Sequence, residues 1–107
     1  MTDPGWVRVA SITEVAEGEG KAVRVGAREI ALYHLPGGEF FSTDNLCTHE
    51  YGQLSDGWLE NGCIECPLHG ARFDVRTGKA LCEPADQDVD VFETRVEGSD
   101  LLIKLPT

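Results

Sequence analysis

Two short pairs of cysteine and histidine constrain this 107-residue chain more than any other feature of its sequence. The first pair is Cys47-Thr48-His49, the second is Cys66-Pro67-Leu68-His69, and sixteen residues separate them. Thiolate and imidazole groups are both common metal ligands. Two such pairs, carried by two loops, can converge on one centre, and this order and spacing are improbable by chance in so short a chain. The pattern favours a metal centre that draws its ligands from these pairs.

The rest of the chain is typical of short β-strands separated by glycine-containing turns. Strands are expected at residues 6–10, 21–25, 29–33, 39–42, 58–60, 63–65, 89–96 and 101–105. Pro36-Gly37-Gly38 marks a turn, Asn61-Gly62 predicts a tight hairpin, and Gly98 lies between the last two strands. Ser11-Ile12-Thr13-Glu14 has the spacing of a capping box and predicts one helical turn. We expect an all-β fold, a small antiparallel sandwich or barrel with two functional loops at one end.

Length and composition indicate a single domain over residues 1–107. The chain is 41% hydrophobic and 26% charged, as in ordinary globular proteins, and it is too short for a second domain. Its apolar runs are much shorter than the about 18 residues of a membrane span. The N-terminus carries no secretory signal, so we expect a cytoplasmic protein with no membrane partner.

The net charge of −10 excludes nucleic acid and anionic membranes as partners, because such a surface repels phosphate groups. No lysine or arginine lies between Arg28 and Arg72, and a second acidic run lies at residues 83–90. This acidity either keeps the surface solvated or steers the chain toward a basic partner. If it steers docking, reversing Glu50 and Glu65 to lysine will slow association with that partner and weaken the salt dependence of the rate.

A structural zinc site is an alternative, because Cys63-Ile64-Glu65-Cys66 is a Cys-x-x-Cys motif. To complete four ligands it would draw on His69, Cys47 or Cys82. However, the predicted hairpin places Cys63 and Cys66 three residues apart on an extended strand, where their side chains point to opposite faces. We therefore interpret Cys63 and Cys82 as partly buried free thiols, and His34, which has no neighbouring cysteine, as structural.

The two pairs resemble the signature of Rieske [2Fe–2S] proteins, and the resemblance covers nearly the whole chain. It includes Leu54-Ser55-Asp56-Gly57 after the first pair, and Phe73-Asp74 and Thr77-Gly78 after the second. Pro84 stands where the family has a proline loop shielding its cluster. The resemblance implies a Rieske-type small antiparallel β sandwich or barrel, with two cluster-binding loops at one end.

The resemblance also implies one [2Fe–2S] cluster per chain, held by four residues. Cys47 and Cys66 would bind the buried iron, and His49 and His69 the outer one. Two neutral imidazoles in place of two thiolates remove negative charge and raise the reduction potential above that of all-cysteine ferredoxins.

Departures from the respiratory branch of the family are informative. Respiratory members join the two loops by a disulfide, but Gly52 and Leu68 occupy those positions in this chain. They also place a serine and a tyrosine hydroxyl against the cluster sulfurs, where this chain has Ala71 and Phe73. Loss of these donors predicts a potential near the bottom of the Rieske range, roughly −150 mV.

The branch that fits is the stand-alone Rieske ferredoxin of bacterial aromatic-ring-hydroxylating dioxygenase systems. Such a ferredoxin carries single electrons from a flavoprotein NAD(P)H reductase to a terminal Rieske oxygenase. With His49 and His69 assigned to the cluster, only His34 remains, so no oxygenase-type site of two histidines and a carboxylate can be built. The chain also has no dinucleotide-binding glycine motif. We expect a monomeric electron carrier and not an enzyme.

Two other functions remain open at this point. A Rieske-type small subunit of assimilatory nitrite reductase would carry the same ligand set. A zinc-stapled binding module would use the Cys63–Cys66 motif instead, and its colourless metal would distinguish it from a red-brown Rieske protein.

Overall fold

The structure is a computed structural model that describes residues 5–46, 53–67, 70–82 and 87–105, without the side chain of Cys82. The strands of these residues are β1 Trp6–Ser11, β2 Gly20–Val25, β3 Arg28–Leu35, β4 Glu39–Asp44, β5 Trp58–Glu60, β6 Cys63–Glu65, β7 Arg72–Asp74, β8 Ala80–Cys82, β9 Val91–Glu97 and β10 Asp100–Lys104. Two 3₁₀ turns, Ile12–Glu14 and Leu54–Asp56, accompany them. The expected all-β class is confirmed. In the described part of the chain, no helix has the length and hydrophobicity needed to cross a membrane.

The strands form two antiparallel sheets of different size. The large sheet has six strands in the order β1-β10-β9-β4-β3-β2, and the small sheet has four in the order β5-β6-β7-β8. The edge strands β1 and β2 of the large sheet contact one another, so this sheet curves into a nearly closed barrel.

The tight hairpin predicted at Asn61-Gly62 is confirmed and joins β5 to β6. Glu60 pairs with Cys63, which leaves Asn61 and Gly62 as a two-residue loop. Both have positive φ, 53° and 77° respectively. This is the type I′ geometry, whose twist matches that of the flanking strands, and asparagine followed by glycine tolerates it best.

The capping box predicted at Ser11–Glu14 is also confirmed, as the start of a 3₁₀ turn. The Ser11 N–H donates to Glu14 Oε2 at 2.6 Å, and the Thr13 N–H donates to Ser11 Oγ at 3.4 Å. These bonds satisfy backbone donors that the short turn cannot pair internally.

Two core clusters lie on opposite sides of strand β3, which is next to the edge strand β2. The first core cluster contains Ala31, Tyr33, Leu35, Leu54, Ile64, Cys66, Ala71, Phe73, Val75 and Val89. The second contains Ala10, Val15, Ile30, Leu32, Phe92, Leu101 and Ile103. Because successive residues of a strand point to opposite faces, β3 supplies side chains to both clusters. The strand predicted at residues 29–33 is thus buried on both faces, although its alternation alone is typical of a strand with one exposed face.

Two strands of the small sheet, β7 and β8, were not predicted from the sequence. Each has three residues, which is too short for apolar alternation to be recognised, and no Asn-Gly turn indicates them as one indicates β5 and β6. β7 forms because its backbone pairs with β6 on one side and β8 on the other.

Candidate functional site

Cys66 is the one predicted ligand that lies among the described residues; Cys47, His49 and His69 lie outside them. It follows β6 directly and is 1% exposed, within the first core cluster. Its N–H donates to the carbonyl of Ala71 at 2.7 Å, and its own carbonyl accepts from the N–H of Gly70 at 3.2 Å. The second loop therefore starts and ends at the same point of the core, with a buried thiol at its base.

The first loop is closed at its base by a bridge between Leu46 and Gln53. Beneath the bridge, the carbonyl of Asn45 accepts from the N–H of Leu54 at 2.8 Å. Leu46 donates its N–H to Asp44 Oδ1 at 3.2 Å, which bends the chain as it leaves β4. The ends of the stretch that carries Cys47 and His49 are thus fixed by backbone hydrogen bonds.

The side chain of Asn45 also clamps the base of the first loop, a role that the sequence did not predict. It is fully buried. Its Oδ1 accepts from the N–H of Ser55 at 2.8 Å, and its Nδ2 donates to Glu29 Oε1 at 3.2 Å. One amide thereby connects β3 to both sides of the loop. An asparagine before a loop carries no distinguishing signal in a single sequence, because polar residues are common there.

The stretch that contains Pro84 lies outside the described residues, but its flanks are well tied. The N–H of Ala80 donates to Asp88 Oδ1 at 2.9 Å, and the N–H of Val89 donates to the carbonyl of Gly78 at 2.8 Å. Further along, the N–H of Asp44 donates to the carbonyl of Asp90 at 2.8 Å. The segment that returns from Pro84 is therefore hydrogen-bonded to the strand that leads into the first loop.

All three loop bases meet in the first core cluster. Leu54 comes from the first loop, Cys66 and Ala71 from the second, and Val89 from the segment after Pro84. The backbone at Gly57 also packs against that of Glu65, so closely that a Cβ atom at Gly57 would overlap the Glu65 carbonyl oxygen. The structure thus brings together the residues that anchor the two predicted ligand-bearing loops.

Cys63 and Cys66 point to opposite faces of β6, as predicted. Ile64 and Cys66 are buried, whereas Cys63 and Glu65 are only half-buried. The Cys63 thiol is free and lines a cleft with Trp58 and Arg72. No group of three or more histidine, cysteine, aspartate or glutamate side chains arranged to hold a metal occurs in the described ranges. The opposite orientation of Cys63 and Cys66 disfavours the zinc alternative that uses both thiols.

His34 has the environment of a structural residue. Its Nδ1 is hydrogen-bonded to the carbonyl of Val15 at 2.8 Å, and its ring stacks on Phe40 with 4.2 Å between ring centroids. These contacts connect β3 to Val15 and to β4, so the His34 ring serves to stabilise the packing of the fold.

Charge beside Cys66 is partly compensated. Glu65 forms an ion pair with Arg72, with 3.0 Å between Oε1 and Nε, across the β6–β7 ladder. The Glu65 side chain is 31% exposed, so it offers less free negative charge than the sequence alone suggests.

The described residues fit the base of a mixed cysteine–histidine iron–sulfur site. A buried thiol such as that of Cys66 suits an inner iron, because thiolate is the ligand that such clusters require. The surrounding side chains of Leu54, Ala71 and Phe73 are apolar and buried, and they would keep water from the sulfur.

The chain is similar to known proteins in both sequence and fold. A family model described as the Rieske [2Fe-2S] domain matches residues 5–93. The chain is 45% identical over 100 residues to the ferredoxin component of the naphthalene 1,2-dioxygenase/salicylate 5-hydroxylase systems of Ralstonia sp, covering 94% of this chain and 95% of that protein.

Solved structures give the same fold. A chain in the complex of reduced oxygenase and oxidized ferredoxin in carbazole 1,9a-dioxygenase superposes with a TM-score of 0.86 at 34% identity, covering 95% of this chain and 94% of that one. A Mycobacterium tuberculosis protein described as an NADH-dependent nitrite reductase small subunit also has a TM-score of 0.86, with 95% and 96% coverage. Its identity is 17%, so this second likeness concerns the fold alone.

Proposed function

The chain belongs to the Rieske [2Fe–2S] family, and we propose that it is the ferredoxin component of a bacterial aromatic-ring-hydroxylating dioxygenase system. The observation that carries the proposal is the 45% identity to a naphthalene dioxygenase ferredoxin component over 94% of this chain. In this role the protein carries single electrons and catalyses no bond formation itself. Residues 1–107 are proposed to form one Rieske domain.

Cys47, His49, Cys66 and His69 are proposed as the four ligands of one Rieske-type [2Fe–2S] cluster. The cluster supplies reversible storage of one electron at a potential that its mixed ligands set. Cys66 contributes a thiolate from the packed core. The clamp at Asn45 and the bridge between Leu46 and Gln53 hold the ends of the stretch that carries Cys47 and His49.

The residues around Cys66 support a low reduction potential. Ala71 and Phe73 are fully buried and carry no hydroxyl group that could donate to a cluster sulfur. Hydrogen-bond donors near the sulfurs favour the reduced, more negative state, so their loss lowers the potential. The value expected is roughly −150 mV, low enough to pass an electron to an oxygenase.

The proposed partners are a flavoprotein NAD(P)H ferredoxin reductase, which supplies the electron, and a terminal Rieske oxygenase, which receives it. A 34%-identical chain occurs in the solved carbazole dioxygenase complex of oxygenase and ferredoxin, which supports an oxygenase partner. We propose a monomer, because a carrier exposes one surface to two partners in turn. The proposed location is the cytoplasm, where NAD(P)H is available to the reductase.

The nitrite reductase alternative has less support. Its small subunit shares the fold at 17% identity, whereas identity to the dioxygenase ferredoxin component is 45%. The comparison therefore favours the dioxygenase system.

The proposed acidic docking is tested by reversing Glu50 and Glu65 to lysine. Slower reduction by the reductase, with weaker salt dependence, is expected because like charges then meet at the interface. Because Glu65 pairs with Arg72, the neutral variant Glu65→Gln serves as the control that breaks this pair without adding a cation. Unchanged rates in the lysine variants contradict the docking hypothesis.

Electron paramagnetic resonance of the dithionite-reduced protein tests the cofactor, with iron and acid-labile sulfide measured on the same sample. A mixed-ligand Rieske signal with equal iron and sulfide is expected. Zinc without sulfide, or an all-cysteine ferredoxin signal, overturns the ligand assignment. Activity is then compared in two assays, one with a naphthalene dioxygenase reductase and oxygenase and one with a nitrite reductase large subunit. Turnover only in the nitrite assay contradicts the proposed function.

A further inference from the structure

Trp58 is the most exposed large apolar side chain among the described residues, at 62%. It lies on the edge strand β5 of the small sheet and forms a wall between two clefts. One cleft, of about 210 Å³, is lined with Asn61, Cys63 and Arg72. The other is more open and is lined with residues 18–20, 55 and 57–60. The Trp58 side chain thus borders both clefts and is largely open to another molecule.

Two carboxylates flank the indole. Glu60 lines both clefts, and Glu19 lines the second one. Both residues are exposed, and neither carboxylate is in an ion pair with any residue that the structure describes. In contrast, Glu65 in the first cleft is already paired with Arg72. We call Trp58, Glu60 and Glu19 the Trp58 surface.

The Trp58 surface adjoins the base of both predicted cluster loops. Trp58 pairs with Glu65 across the β5–β6 ladder, and Glu65 immediately precedes Cys66. The residue before Trp58, Gly57, packs on the same Glu65 backbone. A protein that covers the indole therefore lies beside the loop that carries Cys66.

We propose that the Trp58 surface docks a lysine- or arginine-bearing surface of the terminal oxygenase, with one cation stacked on the Trp58 indole and paired with Glu60. A cation over an indole face, next to a free carboxylate, combines two favourable contacts. The chemistry of the surface, aromatic and negatively charged, matches this kind of partner and disfavours an acidic one. Burial of an exposed tryptophan also removes a large apolar area from water.

The inference rests on the proposed function, and it commits to the oxygenase. A 34%-identical ferredoxin chain occurs with an oxygenase in a solved complex, which supports this choice. The reductase is then the competing occupant, which the experiment separates.

The test measures the dissociation constant between the holo-protein and the oxygenase component of a naphthalene 1,2-dioxygenase system at two salt concentrations. The variants are Trp58→Ala, Trp58→Phe and Glu60→Gln. The matched control is Glu93→Gln, which removes one exposed carboxylate from the large sheet. The visible spectrum of each variant, recorded first, verifies that its cluster is intact. The rate of reduction by the reductase of the same system is measured in parallel.

Trp58→Ala is expected to weaken oxygenase binding by about five- to ten-fold, the order of one lost cation–π contact. Trp58→Phe should lose less, because a phenyl ring retains part of the π face. Glu60→Gln should weaken binding mainly at low salt, and Glu93→Gln should leave it unchanged.

Unchanged binding of both Trp58→Ala and Glu60→Gln overturns the proposal. A slower reduction by the reductase with unchanged oxygenase binding assigns the surface to the other partner and overturns it equally. If the wild-type protein has no Rieske signal or serves neither partner, the proposed function itself has failed, and the docking proposal fails with it.

Discussion

Gly57 lies directly against the backbone of Glu65, with no space for a methyl group between them. A Cβ atom at Gly57 would overlap the Glu65 carbonyl oxygen and also crowd the carbonyl of Leu54. Gly57 has φ of −85°, so the requirement for glycine comes from this close approach and not from an unusual backbone angle. The exit of the first loop and the entry to the second are thereby held in contact.

Gly57→Ala is expected to destabilise the protein by about 1–3 kcal/mol, the usual cost of forcing extra atoms into a packed site. The displaced backbone should also shorten the lifetime of the bound cluster, because Glu65 precedes the predicted ligand Cys66. Urea unfolding and the decay of the visible absorbance measure the two effects. The control is Gly37→Ala, where positive φ costs about 1 kcal/mol but nothing lies near the new methyl group. An equal loss of stability in both variants would show that the close Gly57–Glu65 contact does not add to the cost of the substitution.

Asn45→Ala removes the buried amide that joins the first loop to β3. The Ser55 N–H then loses its acceptor, and a buried unpaired donor costs about 1–3 kcal/mol. We expect that loss of stability together with faster release of iron to a chelator. Asn61→Gly is the matched control, because a glycine accepts the positive φ of the exposed hairpin turn. Iron release as slow as in the wild type would refute the clamp role of Asn45.

Cys66→Ser is expected to abolish the Rieske spectrum, whereas Cys63→Ser should leave it intact. The two thiols are three residues apart, yet Cys66 is buried in the first core cluster and Cys63 borders an outer cleft. Cys82→Ser should also retain the spectrum. The spectra of the three purified variants, with iron content, decide the assignment. Loss of the cluster in Cys63→Ser or Cys82→Ser would make the ligand set wrong.

Because the phenol of Tyr33 is buried, we expect the protein to lose stability at alkaline pH. Its side chain is fully buried and hydrogen-bonded to Thr43 Oγ1 at 2.9 Å, and burial raises the pKa of the phenol above its ordinary value. The unfolded chain therefore loses the phenolic proton first. The stabilisation is fully present below about pH 10 and declines above it, by about 1.4 kcal/mol per pH unit.

The measurement compares the wild type with Tyr33→Phe by urea unfolding between pH 8 and 11. The variant should lose about 1 kcal/mol at pH 8 through the missing hydrogen bond and should approach the wild type as the pH rises. Parallel curves over the whole range would contradict the prediction.

Sequence reasoning succeeded where a few neighbouring residues decide the backbone. Asn61-Gly62 requires only its own positive φ values, and the Ser11–Glu14 cap requires only bonds within four residues. Both signals are local, so a single sequence contains them completely. The two Cys/His pairs are also local, and the family they indicate is confirmed by the match over residues 5–93.

The features that the sequence did not reveal depend on distant pairing. β7 exists because β6 offers it a partner, and β8 exists because β7 does. The role of Asn45 depends on Glu29, sixteen residues earlier, and on Ser55, ten residues later. The ion pair that engages Glu65 depends on the register of β6 against β7. None of these relationships follows from residue type alone.

Each strand of the small sheet has only three residues, and this short length determines the order in which the two sheets fold. Strands so short cannot persist without the side chains that rest on β3, whereas the second core cluster lies wholly within the other part of the fold. We expect the large sheet to fold first as a scaffold and the small sheet to close over it as a separate cooperative unit. Amide exchange in the metal-free chain should then be slow in β3 and β10 and fast in β5–β8. The cluster could then be inserted into a chain whose large sheet is already folded and whose small sheet is still open. Insertion of the cluster would require no global unfolding.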